Sequence, residues 1–155
     1  MADSKKRGLA LVELLVVIAI IGAILYIVLP PFASIKESQV LSNGVENVMS
    51  ALNKARTQTL ASLNSSEYGV RFEESQIVIF TGKVYAGGAP DNEILDINEP
   101  AAISNVTLGG VSGSSGEIYF NRLSGTPDKS GTITVSAGSK SKVITISPAG
   151  AVSKN

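Results

Sequence analysis

The chain has 155 residues, enough for one modest domain plus an anchor, and thirteen basic residues balance thirteen acidic ones. It contains neither cysteine nor histidine, which excludes disulfides, a thiol nucleophile, thiolate metal sites and a Ser–His–Asp triad. Lys5, Lys6, Arg7 and Asp3 sit in the first eight residues, leaving ten basic against twelve acidic in the remainder, a balance that disfavours bulk coating of nucleic acid. Lysine or carboxylate chemistry stays formally open, but the expectation is no enzyme, no cofactor and no metal site.

Residues 1–8 form a short basic leader ending in Gly8, and residues 9–32 form an apolar run whose one charge is Glu13. A helix from Leu9 to Leu29 is about 32 Å long, against roughly 30 Å for a bilayer core. Its fifteen Leu, Ile and Val residues, at about −0.3 to −0.6 kcal/mol each, outweigh one acid at about +3 kcal/mol. The basic leader places the N-terminus on the cytoplasmic side and the bulk of the chain outside. The core is too long for a cleaved secretory signal, and Pro30-Pro31-Phe32-Ala33 is a poor site for its peptidase. A plain signal anchor gives no reason for Glu13. Pro30 and Pro31 predict a kink or local break, and Gly22 a weak point upstream.

Residues 33–63 read as an amphipathic helix, with Gly44 as a local weakness. Leu41, Val45, Val48, Leu52, Ala55 and Thr59, joined by Met49, Leu60 and Leu63, make one apolar face. Glu46, Asn47, Ser50, Lys54 and Arg56 fall on the other, and Asn64-Ser65-Ser66 ends the helix. The face serves either to pack the helix on its own sheet or to bind a partner.

From residue 64 to 155 the pattern becomes β-rich. Strands are predicted at Tyr68–Phe72, Gln76–Thr81, Ile103–Leu108, Glu117–Phe120, Gly131–Ser136 and Lys142–Ser147, with 137–141 as a hairpin between the last two. The fold class is therefore α+β, a long N-terminal helix packed on an antiparallel sheet. The acidic run Asp91–Glu99 offers oxygen ligands without EF-hand spacing and is expected to be a solvated loop. The glycine-rich run Gly109–Gly116 lacks a P-loop ending and is expected to be a flexible surface loop.

Gly8 followed by Leu9-Ala10-Leu11-Val12-Glu13-Leu14-Leu15 resembles the class III signal of type IV pilins and type II secretion pseudopilins. The resemblance implies a pilin-like fold, cleavage between Gly8 and Leu9 by a prepilin peptidase, and N-methylation of Leu9. It also implies assembly with other subunits through an inner-membrane platform, and a location in the inner membrane and then in a periplasmic or extracellular filament. The sequence departs from the family at Leu9, where Phe is usual, and at Ala10, where Thr is usual. A carboxylate buried in lipid needs a partner; in the family it is the terminal amine of a neighbouring subunit, which gives Glu13 a role in assembly.

Three stretches, Tyr68–Phe72, Gly116–Phe120 and Val143–Val152, resemble the GspH/FimT branch of pseudopilins and minor pilins. That likeness implies a minor structural subunit of a pseudopilus or pilus. The alternative is a DNA-uptake or adhesive minor pilin that binds through its β domain, with loops such as 86–92 and 109–115 as candidates. Members that bind DNA carry a Gly-Arg-x-Arg pattern where this chain has Gly150-Ala151-Val152-Ser153. Both arginines are missing, so DNA is not the expected partner; Lys140, Lys142 and Lys154 remain as candidate phosphate contacts, against a plainer role in guarding a strand edge.

Overall fold

A computed structural model describes the backbone of residues 3–155 and the side chains of residues 11–27 and 35–155. Helix α1 (Asp3–Leu60) is followed by nine strands: β1 (Tyr68–Phe72), β2 (Gln76–Thr81), β3 (Glu93–Asp96), β4 (Ala101–Leu108), β5 (Val111–Gly113), β6 (Gly116–Tyr119), β7 (Gly131–Ala137), β8 (Lys140–Ile146) and β9 (Val152–Lys154). The chain divides into two units, 1–36 and 37–155. In the first, helical backbone continues through Gly22 and the two prolines, so the weak point predicted there is not a loss of helix. A proline φ near −65° is itself helical, so its cost is one missing donor and crowding of its ring against the preceding turn rather than a forced break. The side chains of Leu9, Pro30 and Pro31 lie outside the described residues, as does that end of the leader.

The second unit is built around the apolar face of α1. Leu41, Val45, Val48, Leu52, Ala55 and Thr59 are buried, joined by Ala51. Gly44 lies on the same face, where a Cβ would come within 3.3 Å of Val135 and 3.6 Å of Ala101. The weak helix former is thus what lets the helix approach the strands closely. The helix ends at Leu60, short of the expected Leu63. Ser62, Asn64 and Ser65 all adopt positive φ, which turns the chain out of the helix. Leu60 and Leu63, expected on the apolar face, are consequently exposed.

All six predicted strands are present, shifted by two residues at most. The antiparallel layer is split, with one sheet ordered β3-β2-β1-β6 and the other β5-β4-β7-β8-β9. Both contribute to one core with α1: Val70, Phe72, Ile77 and Ile79 from the first, and Ile103, Ile133, Val135, Ile144 and Ile146 from the second. The 137–141 hairpin is tighter than expected, because Ala137 pairs with Lys140 and leaves only Gly138 (φ 60°) and Ser139 as the turn.

Two loop expectations are corrected. Within the acidic run, Glu93–Asp96 is an edge strand paired with Gln76–Ile79. Within the glycine-rich run, Val111–Gly113 folds back on Val106–Leu108. In each case pairing to an established neighbour supplies the backbone bonds that local sequence does not signal. β9 was likewise not predicted.

Candidate functional site

Residues 11–27 of the N-terminal unit present an apolar surface all round. Among the described residues, thirteen large apolar side chains from Leu11 to Ile27 are 46–83% exposed. A helix apolar on every side is one that is covered in its working state, by lipid or by other protein. Glu13 is exposed amid them, and nothing lies within 4 Å of the Cβ position of Gly22. No helix among the described residues is long and apolar enough to cross a membrane; the span expected at 9–32 runs beyond the described side chains at both ends.

The lysines considered as phosphate contacts are brought together in a seam along α1. Lys140 Nζ donates to Ser38 Oγ at 2.6 Å and Lys142 Nζ to Ser42 Oγ at 3.5 Å. Lys154 Nζ pairs with Glu46 at 2.5 Å. Their partners recur every four residues on one helix stripe, so β8 and β9 are tied to α1 by a polar seam beside the core. The hydrogen bond from Lys154 and its charge, then the charge of Lys142, hold the Glu46 carboxyl below its ordinary range.

Arg56, expected on the solvated face of the helix, is instead part-buried. Its Nε donates to Gly125 O at 3.0 Å and its Nη2 to Ala149 O at 3.2 Å. Two loops far apart in sequence are thereby anchored to one helical side chain. Gly150 (φ 80°) is required at that junction, since a Cβ there would lie 2.5 Å from Gly125 O. Sequence reasoning missed this role because an arginine on the polar side of a helix is usually solvated.

The two runs weighed as ligand sites have structural partners. Glu93 pairs with Lys54 at 2.6 Å, and Asp96 O accepts from Asn47 Nδ2 at 3.2 Å. Among the described residues no three acidic side chains come together in a metal-ligating group. In the 86–92 loop, Asn92 Nδ2 donates to Ala86 O at 2.8 Å and closes the loop on itself. The β4–β5 hairpin forms one wall of a cleft of about 270 Å³, lined by Val106, Leu108, Val111, Gly116, Glu117 and Lys129 among others.

Residues 44–150, more than half of the chain and nearly all of the β domain, match the family of type II transport protein GspH. The chain belongs to the GspH family. Residues 3–29 match the prokaryotic N-terminal methylation motif, a stretch that contains Gly8, Leu9 and Glu13. Together the two matches make this GspH-family chain a pilin or pseudopilin subunit, a family of structural proteins. No curated protein and no solved structure matches it. The α+β architecture, an N-terminal helix packed on antiparallel sheets, is that of a GspH-type pilin-like subunit.

Proposed function

We propose that this chain is a minor subunit of a type II secretion pseudopilus, anchored in the inner membrane by residues 9–32 before assembly. The family description favours secretion over a type IV pilus. A prepilin peptidase cuts between Gly8 and Leu9, Leu9 is N-methylated, and the mature helix passes from lipid into a helical filament core with the help of the assembly platform. The leader stays cytoplasmic, and residues 64–155 face the periplasm.

The observation that carries this reading is the uncovered apolar surface from Leu11 to Ile27. At about 1.5–3 kcal/mol for full burial of each large apolar side chain, and with roughly half of that area open, covering it is worth on the order of 10–20 kcal/mol. That exceeds the roughly 3 kcal/mol for placing one carboxylate in the apolar layer. It also suits a segment that exchanges lipid for neighbouring helices at little net cost. The Leu9 amine released by cleavage gives Glu13 of a neighbouring subunit an opposite charge, and their pairing sets the axial register.

Membrane fractionation with N-terminal sequencing tests the proposal. The expected mature chain begins at Leu9 and is found in the inner membrane and in sheared or overproduced pseudopili. A chain that keeps Met1–Gly8 in cells containing an active prepilin peptidase overturns it. Abundance well below that of the main filament subunit is expected for a minor subunit, and equal abundance contradicts that role.

A further inference from the structure

We propose that the cleft between β6 and the β4–β5 hairpin receives an extended segment of a partner polypeptide, which adds as a strand to the open edge of β6. The segment seats an apolar side chain against Val111, with a carboxylate next to it facing Lys129. This goes beyond the assembly reading, which uses the helix and not this face.

β6 is the last strand of its sheet and is paired along its length to β1; on its outer side a bridge from Phe120 to Pro127 covers the end of the strand and leaves its beginning open among the described residues. The bond from Phe120 N to Tyr68 O sets the phase of that ladder. In an antiparallel pair the bonded residues alternate, so Gly116 and Ile118 face β1 while Glu117 and Tyr119 turn their backbone groups outward. Tyr119 is already capped: its N–H donates to Asp128 Oδ1 at 3.0 Å, and its C=O accepts from Asp128 N at 3.0 Å. Glu117 is not. Among the described residues neither its N–H nor its C=O has a partner, and Glu117 lines the cleft. One donor and one acceptor therefore point outward at the cleft, an arrangement that recruits a strand.

The cleft is matched to such a guest. Gly116 lies directly on the floor, since a Cβ there would come within 2.7 Å of Val106 and 3.0 Å of Leu108. Opposite, Val111 is 75% exposed, an uncovered apolar wall on a short edge strand. The volume of about 270 Å³ falls below the roughly 300–1,000 Å³ usual for small-molecule sites, so it suits one or two side chains of a peptide. The rim also has a charge preference. The Glu117 carboxylate is turned to Arg71 at 3.5 Å, whereas among the described residues Lys129 has only its chain neighbour Asp128 at 3.4 Å, one oxygen of which is spent on Tyr119. The half-exposed Lys129 ammonium thus favours an acidic guest residue.

The test pans a phage-displayed library of random dodecapeptides against the full chain in detergent micelles, with Val111→Glu as counter-selection. Enriched peptides should alternate apolar and polar residues and carry an acid beside the anchor. Glu117→Pro removes the outward donor, which an edge position tolerates, together with the carboxylate that faces Arg71, and should weaken these peptides about tenfold, as losing one interfacial hydrogen bond does. Glu117→Gln keeps the backbone donor and should bind within about twofold of the parent. Should Glu117→Pro misfold by circular dichroism, slowed exchange of the Glu117 amide in the parent on adding peptide carries the same information. Peptides that bind Val111→Glu as well as the parent, or that leave the Glu117 amide exchanging at its unbound rate, overturn the proposal. Enrichment that Glu117→Pro leaves unchanged also overturns it, because apolar docking without strand addition would then suffice.

Discussion

Thr59 joins the end of α1 to the start of β1, and its hydroxyl is the test of that join. It is fully buried, donates to Ala55 O at 2.9 Å and accepts from Tyr68 N at 2.9 Å. Thr59→Val keeps the shape but leaves the buried Tyr68 N–H with no acceptor, at a cost of about 1–3 kcal/mol. Ala55 O loses little, because its carbonyl lies within the helix. Thr59→Ser keeps both bonds and loses one methyl group, about 1 kcal/mol including the void. Thr59→Ala combines the losses and should be the worst of the three, at about 2–4 kcal/mol. Urea denaturation of the full chain in micelles, followed by far-ultraviolet circular dichroism, reads the series. With a slope of about 1–3 kcal/mol per molar urea, Thr59→Val should lower the midpoint by about 1 M. Amide exchange at Tyr68 should accelerate in the Val and Ala variants and stay slow in the Ser variant. A Val variant with the parent midpoint, or a Ser variant less stable than Val, refutes the assignment.

Glu13→Ala should leave insertion and cleavage intact, as judged by N-terminal sequencing, yet reduce incorporation into filaments; normal incorporation contradicts the pairing role. Arg56→Ala removes two charge-assisted bonds and should cost about 2–3 kcal/mol, with faster amide exchange confined mainly to 121–126 and 147–151. Gly44→Ala should be near neutral, since a gain of about 1 kcal/mol in helix propensity offsets the contact with Val135, whereas Gly44→Leu should destabilise by about 1–3 kcal/mol through overpacking; calorimetry separates them. The Glu46 carboxyl is held low in the folded chain, so its stabilising contribution is present above its unfolded value and is lost as pH falls through the lower folded one. Acid titration should therefore loosen β9, seen as faster amide exchange at 152–154, and Glu46→Gln should flatten that response.

Periodicity alone determined much of this protein. The stripe Leu41-Val45-Val48-Leu52-Ala55-Thr59 was legible because a helix with one buried face must repeat its apolar residues at steps of three and four. Gln76–Thr81 and Lys142–Ser147 were legible because inner strands concentrate β-branched residues. The Gly8–Glu13 junction is a local feature, and its meaning needs no tertiary context beyond an apolar surrounding. By contrast, Glu93–Asp96, Val111–Gly113 and Val152–Lys154 are short edge strands with mostly exposed side chains. Their order comes from backbone bonds to distant partners, which leave no hydrophobic signature. The same holds for Arg56, whose acceptors are 69 and 93 residues away, and for the lysine seam, whose partners lie about 100 residues upstream. The role proposed for the N-terminus rests on local chemistry. The division into two sheets, and the open edge of β6 between them, was decided only when distant strands paired, because an unpaired backbone group is defined by which neighbours are missing.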